Sequence, residues 1–139
     1  MKYMIMLYAS QRDYDAMAGN VPEGGTAWTP EDFAAMGAFM EAFNDDLVES
    51  GEFVDAQALA APVHTRRFHT ENGVPVVTDG PYPETAEVLA GYTVVECASF
   101  DRASEIAARL ADCPGPADVR ARAFADLRPL VDGRADLEP

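Results

Sequence analysis

The chain has 139 residues, 48% of them hydrophobic, which suits one domain with a buried core and argues against global disorder. Acids outnumber bases 24 to 10, a formal charge of −14, so phosphate backbones are repelled and nucleic acid is not an expected partner. No apolar run approaches the ~20 residues needed to span a bilayer, so no membrane partner is expected either.

The charge is unevenly spread. No Lys or Arg occurs between Arg12 and Arg66, and eleven acids fall from Asp13 to Asp55. One layer of the fold is therefore expected to be an acidic, solvated face. The cysteines are Cys97 and Cys113. Without CxxC spacing they read as reduced thiols, and the start MKYMIMLYAS lacks the shape of a cleavable signal. A cytoplasmic protein is expected.

Residues 2–9, KYMIMLYA, have the composition of a buried strand. Residues 10–28 are polar and acidic and read as a long loop, a length that usually means function or motion. Thr29-Pro30-Glu31-Asp32 starts a helix: a cap, a proline at the first position and a capping-box acid. Phe33, Met36, Met40, Phe43 and Leu47 then form one apolar stripe up to the stop at Ser50-Gly51. That stripe serves either core packing or a pocket wall.

Residues 53–60 read as a strand interrupted at Pro62. Residues 64–70 and 74–79 flank Asn72-Gly73, the strongest short hairpin signal. With a two-residue loop, paired numbers sum to 145, which sets Arg66 opposite Asp79, Arg67 opposite Thr78 and Phe68 opposite Val77. His64 would share a face with Arg66 and Asp79. A bulged three-residue loop would instead put Thr78 opposite Arg66. Residues 91–98 read as another strand, and Asp101 as the cap of a short helix with inner residues Ala103, Ile106, Ala107 and Leu110. CPGP (113–116) ends it. Residues 119–130 alternate Val119, Ala121, Ala123, Ala125 and Leu127 and read as a final strand. The order β-α-β-β-β-β-α-β argues for an α+β ferredoxin-like unit with an inserted β-hairpin, a single domain over 1–133 with a C-terminal tail over 134–139.

The phosphate-binding GxxxxGK[ST], the dinucleotide GxGxxG, HExxH and GxSxG are all missing. His64 and His69 are five apart, a spacing that puts strand residues on opposite faces and makes a poor metal pair. No cofactor and no metal are expected. The chemistry that remains is carried by Asp79-Gly80-Pro81-Tyr82-Pro83-Glu84. Its prolines and glycine fix the chain direction, so Asp79, Tyr82 and Glu84 can be presented rigidly. The segment suits acid–base work or ligand hydrogen bonding, and equally a structural corner.

DGPYPETAEVLAGY resembles the signature stretch of the YCII-related family, whose larger branch is named for an Asp-Gly-Pro-Phe motif; Tyr82 stands where the Phe usually is. Similarity extends to KYMIMLYA, the long helix, the Glu84 and Gly91 positions, and VVECASFDRASEIAARLADCPGP. The resemblance implies a ferredoxin-like unit paired face to face in a homodimer, a dimeric α/β barrel. Shorter members carry a helix histidine and an aspartate near its exit as a proposed catalytic pair. Here the helix from Pro30 to Ser50 has no histidine and Glu49 stands at its exit, so that pair does not carry over. One relative removes chloride from a chlorinated trihydroxybenzene, and related barrels include muconolactone isomerases. The larger branch often lies beside genes for alternative sigma factors.

Two functions follow as expectations. The first is a lyase or isomerase acting by proton transfer on a small aromatic or enol-like molecule, bound between the sheet and the long helix or at the dimer seam. Asp79, Tyr82, Glu84 and His64 would be its catalytic residues and Arg66 its anion-binding residue. The second is a non-catalytic dimer that binds a small molecule, or an accessory to a sigma factor.

Overall fold

The computed structural model describes residues 1–80 and 83–137. Its main elements are β1 (Lys2–Ala9), α1 (Gln11–Met17), α2 (Pro30–Ser50), β2 (Phe53–Ala58), β3 (Arg66–Glu71), β4 (Val74–Asp79), β5 (Val88–Glu96), α3 (Phe100–Ala108), α4 (Ala117–Arg122) and β6 (Ala125–Pro129). Strands β2, β5, β1 and β6, in that order, form one antiparallel sheet, and β3–β4 form a separate hairpin. With the hairpin set aside, this is the strand order of a ferredoxin-like α+β unit.

Residues directly opposite each other across a ladder share a face. Tyr3 faces Val95 and Pro129, and Ile5 faces Thr93 and Leu127. That face meets the helices: Tyr3, Ile5 and Val95 are buried with Phe43 and Leu47 of α2 and Ala103 and Ile106 of α3. The α2 stripe is thus divided, its C-terminal half packing into the core. Met4, Met6, Tyr92 and Val94 lie on the other face.

Helix α2 begins and ends as its sequence dictates. Thr29 and Asp32 form a reciprocal capping box, and Gly51 closes the helix at φ +78°. The hairpin turn has Asn72 at φ +49° and Gly73 at φ +77°, the positive values of a tight two-residue turn. Its register pairs Arg66 with Asp79, Arg67 with Thr78 and Phe68 with Val77.

Three expectations need correction. Residues 10–28 are not all loop, because Gln11–Met17 is helical. Ser10 caps it, and the Asp13 carboxylate returns a bond to the Ser10 N–H at 2.9 Å. Residues 119–130 are not one strand, because Ala117–Arg122 is helical and only Ala125–Pro129 pairs with β1. The Ala/Arg alternation that imitated a strand consists of strong helix formers placed just after Pro116. Helix α3 is capped by Ser99, whose hydroxyl accepts from the Arg102 N–H at 3.0 Å, and Asp101 lies in its first turn. The tail residues Arg134–Leu137 form one exposed 3-10 turn.

Gly91 is held by a close backbone approach. It sits opposite Ala58 in β2 and Leu7 in β1, and a Cβ there would stand 2.9 Å from the Gln57 carbonyl oxygen. Backbone cannot step aside as a flexible side chain can. Gly91→Ala is expected to cost about 1–3 kcal/mol by overpacking. Gly37→Ala, mid-α2 with open space around the added methyl, is expected to gain about 0.5–1 kcal/mol. Urea unfolding of the two variants checks the contrast; equal effects would contradict the close approach.

Candidate functional site

Helix α1 sits where several distant segments meet. Gln11 Oε1 accepts from the Val63 N–H at 2.9 Å, before the hairpin. The Arg12 N–H donates to the Glu84 carbonyl at 3.1 Å, within the DGPYPE stretch. The Tyr14 hydroxyl donates to the Leu59 carbonyl at 2.8 Å, just past β2. Arg122, the last residue of α4, donates to Asp13 Oδ1 at 3.1 Å. Asp13 thus holds its own helix cap and a helix more than a hundred residues later.

The Asp13–Arg122 bridge separates two hollows. A smaller one of about 300 Å³ lies against Pro22, Gly24, Gly25 and Thr26. A larger cavity of about 650 Å³ lies between β1, α2, α3 and α4, and both share Asp13, Val119 and Arg122 in their walls. The larger volume falls in the range of small-molecule sites. Met36 and Met40, the N-terminal half of the α2 stripe, line it with Leu7, Leu127 and Phe124. The stripe therefore serves both core and pocket. Trp28 closes one side, its ring centroid 5.1 Å from that of Phe33 and its edge against Gly115. The Trp28 indole N–H is sealed in this packing with no acceptor among the described residues.

Few polar groups interrupt the apolar wall. Asp13 is committed to the Ser10 N–H and hydroxyl and to Arg122. The Ser104 hydroxyl is spent on the Phe100 carbonyl at 2.8 Å. Tyr8 stacks on Phe124 at 5.0 Å, and its hydroxyl is held above the usual phenol range by loss of solvent and then by the nearby Asp126 carboxylate. It remains a proton donor at neutral pH. Burial pushes the Cys113 thiol up, opposed by the Arg120 charge. Glu87 and Arg120 are the two charged wall residues with neither a hydrogen bond nor an ion pair from their side chains among the described residues.

The sequence-derived site residues stand elsewhere. Arg66 and Asp79 occupy one rung at the hairpin's open end, both exposed, without an ion pair between them among the described residues. His64 is exposed in the 3-10 turn Pro62–His64 rather than in the strand, so the alternation that gave it a face with Arg66 does not reach it. Glu84 is exposed and contributes its carbonyl to α1. Tyr82 lies outside the described residues. Neither His64, Arg66, Asp79 nor Glu84 lines the large cavity; the same signature stretch reaches it through Glu87 instead. Gly80 marks the corner, where an added Cβ would meet the Val63 carbonyl at 3.4 Å, and its N–H donates to the Thr65 carbonyl. The wall residues Tyr8, Asp13, Trp28, Glu87, Arg120 and Arg122 carried no site signal in sequence. The one available clue was the Ser10-x-x-Asp13 capping spacing, which marks a helix where a loop was expected.

Comparison with known proteins gives two matches. A family model described as a YCII-related domain covers residues 1–113. An uncharacterized protein of Rhizobium meliloti (strain 1021) is 26% identical over 117 residues, 84% of this chain and 94% of that protein. No helix among the described residues is long and apolar enough to cross a membrane. The family match ends before α4 and β6, so the wall bearing Arg120, Arg122 and Phe124 lies beyond it.

The thiols report on this geometry. An ordinary thiol is half ionised near pH ~8.5. Cys113 is expected to react with iodoacetamide more slowly than free cysteine at pH 8, with a rate still climbing above that pH. Buried Cys97, whose thiol meets the Ser99 carbonyl at 3.5 Å, is expected to stay unmodified in the folded protein. Mass spectrometry of timed samples checks both; fast alkylation of Cys113 at pH 7 would contradict the buried wall.

Proposed function

The chain belongs to the YCII-related domain family, and we propose that it binds a small, largely apolar molecule in the 650 Å³ cavity and acts on it by proton transfer, as a lyase or isomerase. One observation carries this: an apolar cavity with a single uncommitted carboxylate, Glu87, supplied by the stretch that marks the family. The Asp13 carboxylate is already occupied by the helix cap and the Arg122 ion pair. Glu87 loses no partner on taking a proton. In the proposed step the substrate C–H bond breaks, its proton goes to the Glu87 carboxylate, and the electron pair moves onto an adjacent carbonyl oxygen as an enolate. Tyr8 adds its ring to the cavity wall, its protonated hydroxyl being engaged by Met6 Sδ at 3.7 Å and by Asp126.

A second reading, a carrier that holds the same molecule unchanged, is favoured by the exposure of Glu87 to solvent. A carboxylate open to water is not confined against a bound molecule as a positioned base must be.

Trp28 is the sole tryptophan and stands in the cavity wall, so its fluorescence reports occupancy. A panel of enolisable aryl ketones and lactones is incubated in D2O, with binding followed by Trp28 emission and α-proton loss by NMR. The enzyme reading predicts exchange above the buffer rate, reduced about 10²–10⁴-fold by Glu87→Gln and unchanged by Asp79→Asn or Glu84→Gln. Loss of exchange in Asp79→Asn alone would move the chemistry to the hairpin corner. Binding without exchange across the panel would establish the carrier.

A further inference from the structure

The cavity's charges are arranged unequally, and the inequality says what kind of molecule fits. Two cations reach the wall, both from α4. Arg122 is neutralised by Asp13 at 3.1 Å and by Asp118 at 3.8 Å. Arg120 pairs with no acid among the described residues, although the chain carries 24 acids and 10 bases. Arg102 binds Glu52 and Glu105, and Arg109 binds Asp46, whereas Arg12, Arg66, Arg128 and Arg134, like Arg120, have no ion pair among the described residues. What sets Arg120 apart is its place: an uncommitted cation at the wall of an apolar cavity is a vacant anion contact.

Resting on the reading of this cavity as the ligand site, we infer that it selects amphipathic anions: a small apolar body with one carboxylate-class head group held on Arg120. The planar guanidinium matches a carboxylate with two parallel N–H donors and keeps its charge at every physiological pH. The cavity wall it belongs to, which includes Trp28, Pro114, Val119 and Ala123, is apolar and takes the ligand's body, while the exposed guanidinium makes a salt-sensitive contact with its head group. Arg120 stands with Arg122 in the last turn of α4, but a helix of six residues has only a weak dipole for them to offset. Glu87, the other uncommitted charge, repels an anionic head. The two together orient the ligand, head group on Arg120 and uncharged end towards the carboxylate. Arg120 also lies beyond residues 1–113, so this selectivity belongs to the part of the chain outside the family match.

The test compares 4-butylbenzoate with its neutral isostere 4-butylbenzamide, titrated into the full chain at low ionic strength and followed by Trp28 emission. Protection of Cys113 from iodoacetamide is a second readout of occupancy. The inference predicts at least tenfold tighter binding of the benzoate. It also predicts collapse of that preference in Arg120→Met, partial recovery in Arg120→Lys, and a preference that shrinks as salt rises. Arg120 is exposed, so these variants should keep the wild-type circular dichroism, and the wild-type comparison stands without them. Equal affinity for both probes overturns the anion selectivity while leaving the cavity as a binding site. A benzoate preference untouched by Arg120→Met overturns the assignment to Arg120. Failure of both probes to shift Trp28 or protect Cys113 overturns the cavity reading and the selectivity with it.

Discussion

The Asp13 carboxylate is the constraint on which the rest depends. One oxygen closes the N-terminus of α1 through Ser10, and the other accepts from Arg122 at the end of α4. An N-cap is worth about 0.5–2 kcal/mol, and a half-exposed ion pair generally under about 1 kcal/mol. The energy is modest, but the geometry is decisive. A helix of seven residues is too short to persist by propensity alone. Once capped and tied, α1 fixes the 3-10 turn before the hairpin, the DGPYPE stretch, the end of β2 and the last helix through single contacts. The bridge then serves as the partition between the two hollows.

This arrangement gives the signature stretch two different uses. Its first part is a corner: Gly80 lies beside the carbonyls of Pro62 and Val63, where an added Cβ would make van der Waals contact with backbone. Its middle is an anchor, the Glu84 carbonyl accepting from α1. Only at Glu87 does it present a side chain to the cavity before entering β5. The segment is thus structural at Gly80 and Glu84 and faces the cavity at Glu87.

Much of the fold was legible in the sequence because its signals were local and strong. The α2 box at Thr29 and Asp32, the Gly51 stop and the Asn72-Gly73 turn each specify a conformation with few residues, and the hairpin register follows from the turn alone. The misread segments are those where local signals were short or ambiguous. Residues 11–17 span two turns of helix, and their stability comes from Tyr14, Arg12 and Asp13 meeting partners far along the chain. Residues 117–122 alternate small and long side chains in a way that fits either period, and contact with α1 settles the outcome. The site was less legible for the same reason. Acidic residues concentrated in DGPYPE drew attention to Asp79 and Glu84, whereas the cavity wall is assembled from β1, α2, α3, α4 and the Trp28 loop. No single stretch contains enough of it to be recognised.

The central claim is that a small molecule enters the cavity walled by Trp28 and the α1–α4 bridge, and not the open end of the hairpin. The most direct measurement is a two-dimensional amide NMR titration of the ¹⁵N-labelled chain with an uncharged apolar aromatic, 4-butylphenol. The account predicts saturable shifts gathered at Tyr8, Trp28, Glu87, Gly115 and Phe124. Saturable shifts confined to Arg66, Asp79, Gly80 and Glu84, with the cavity wall unmoved, would contradict it.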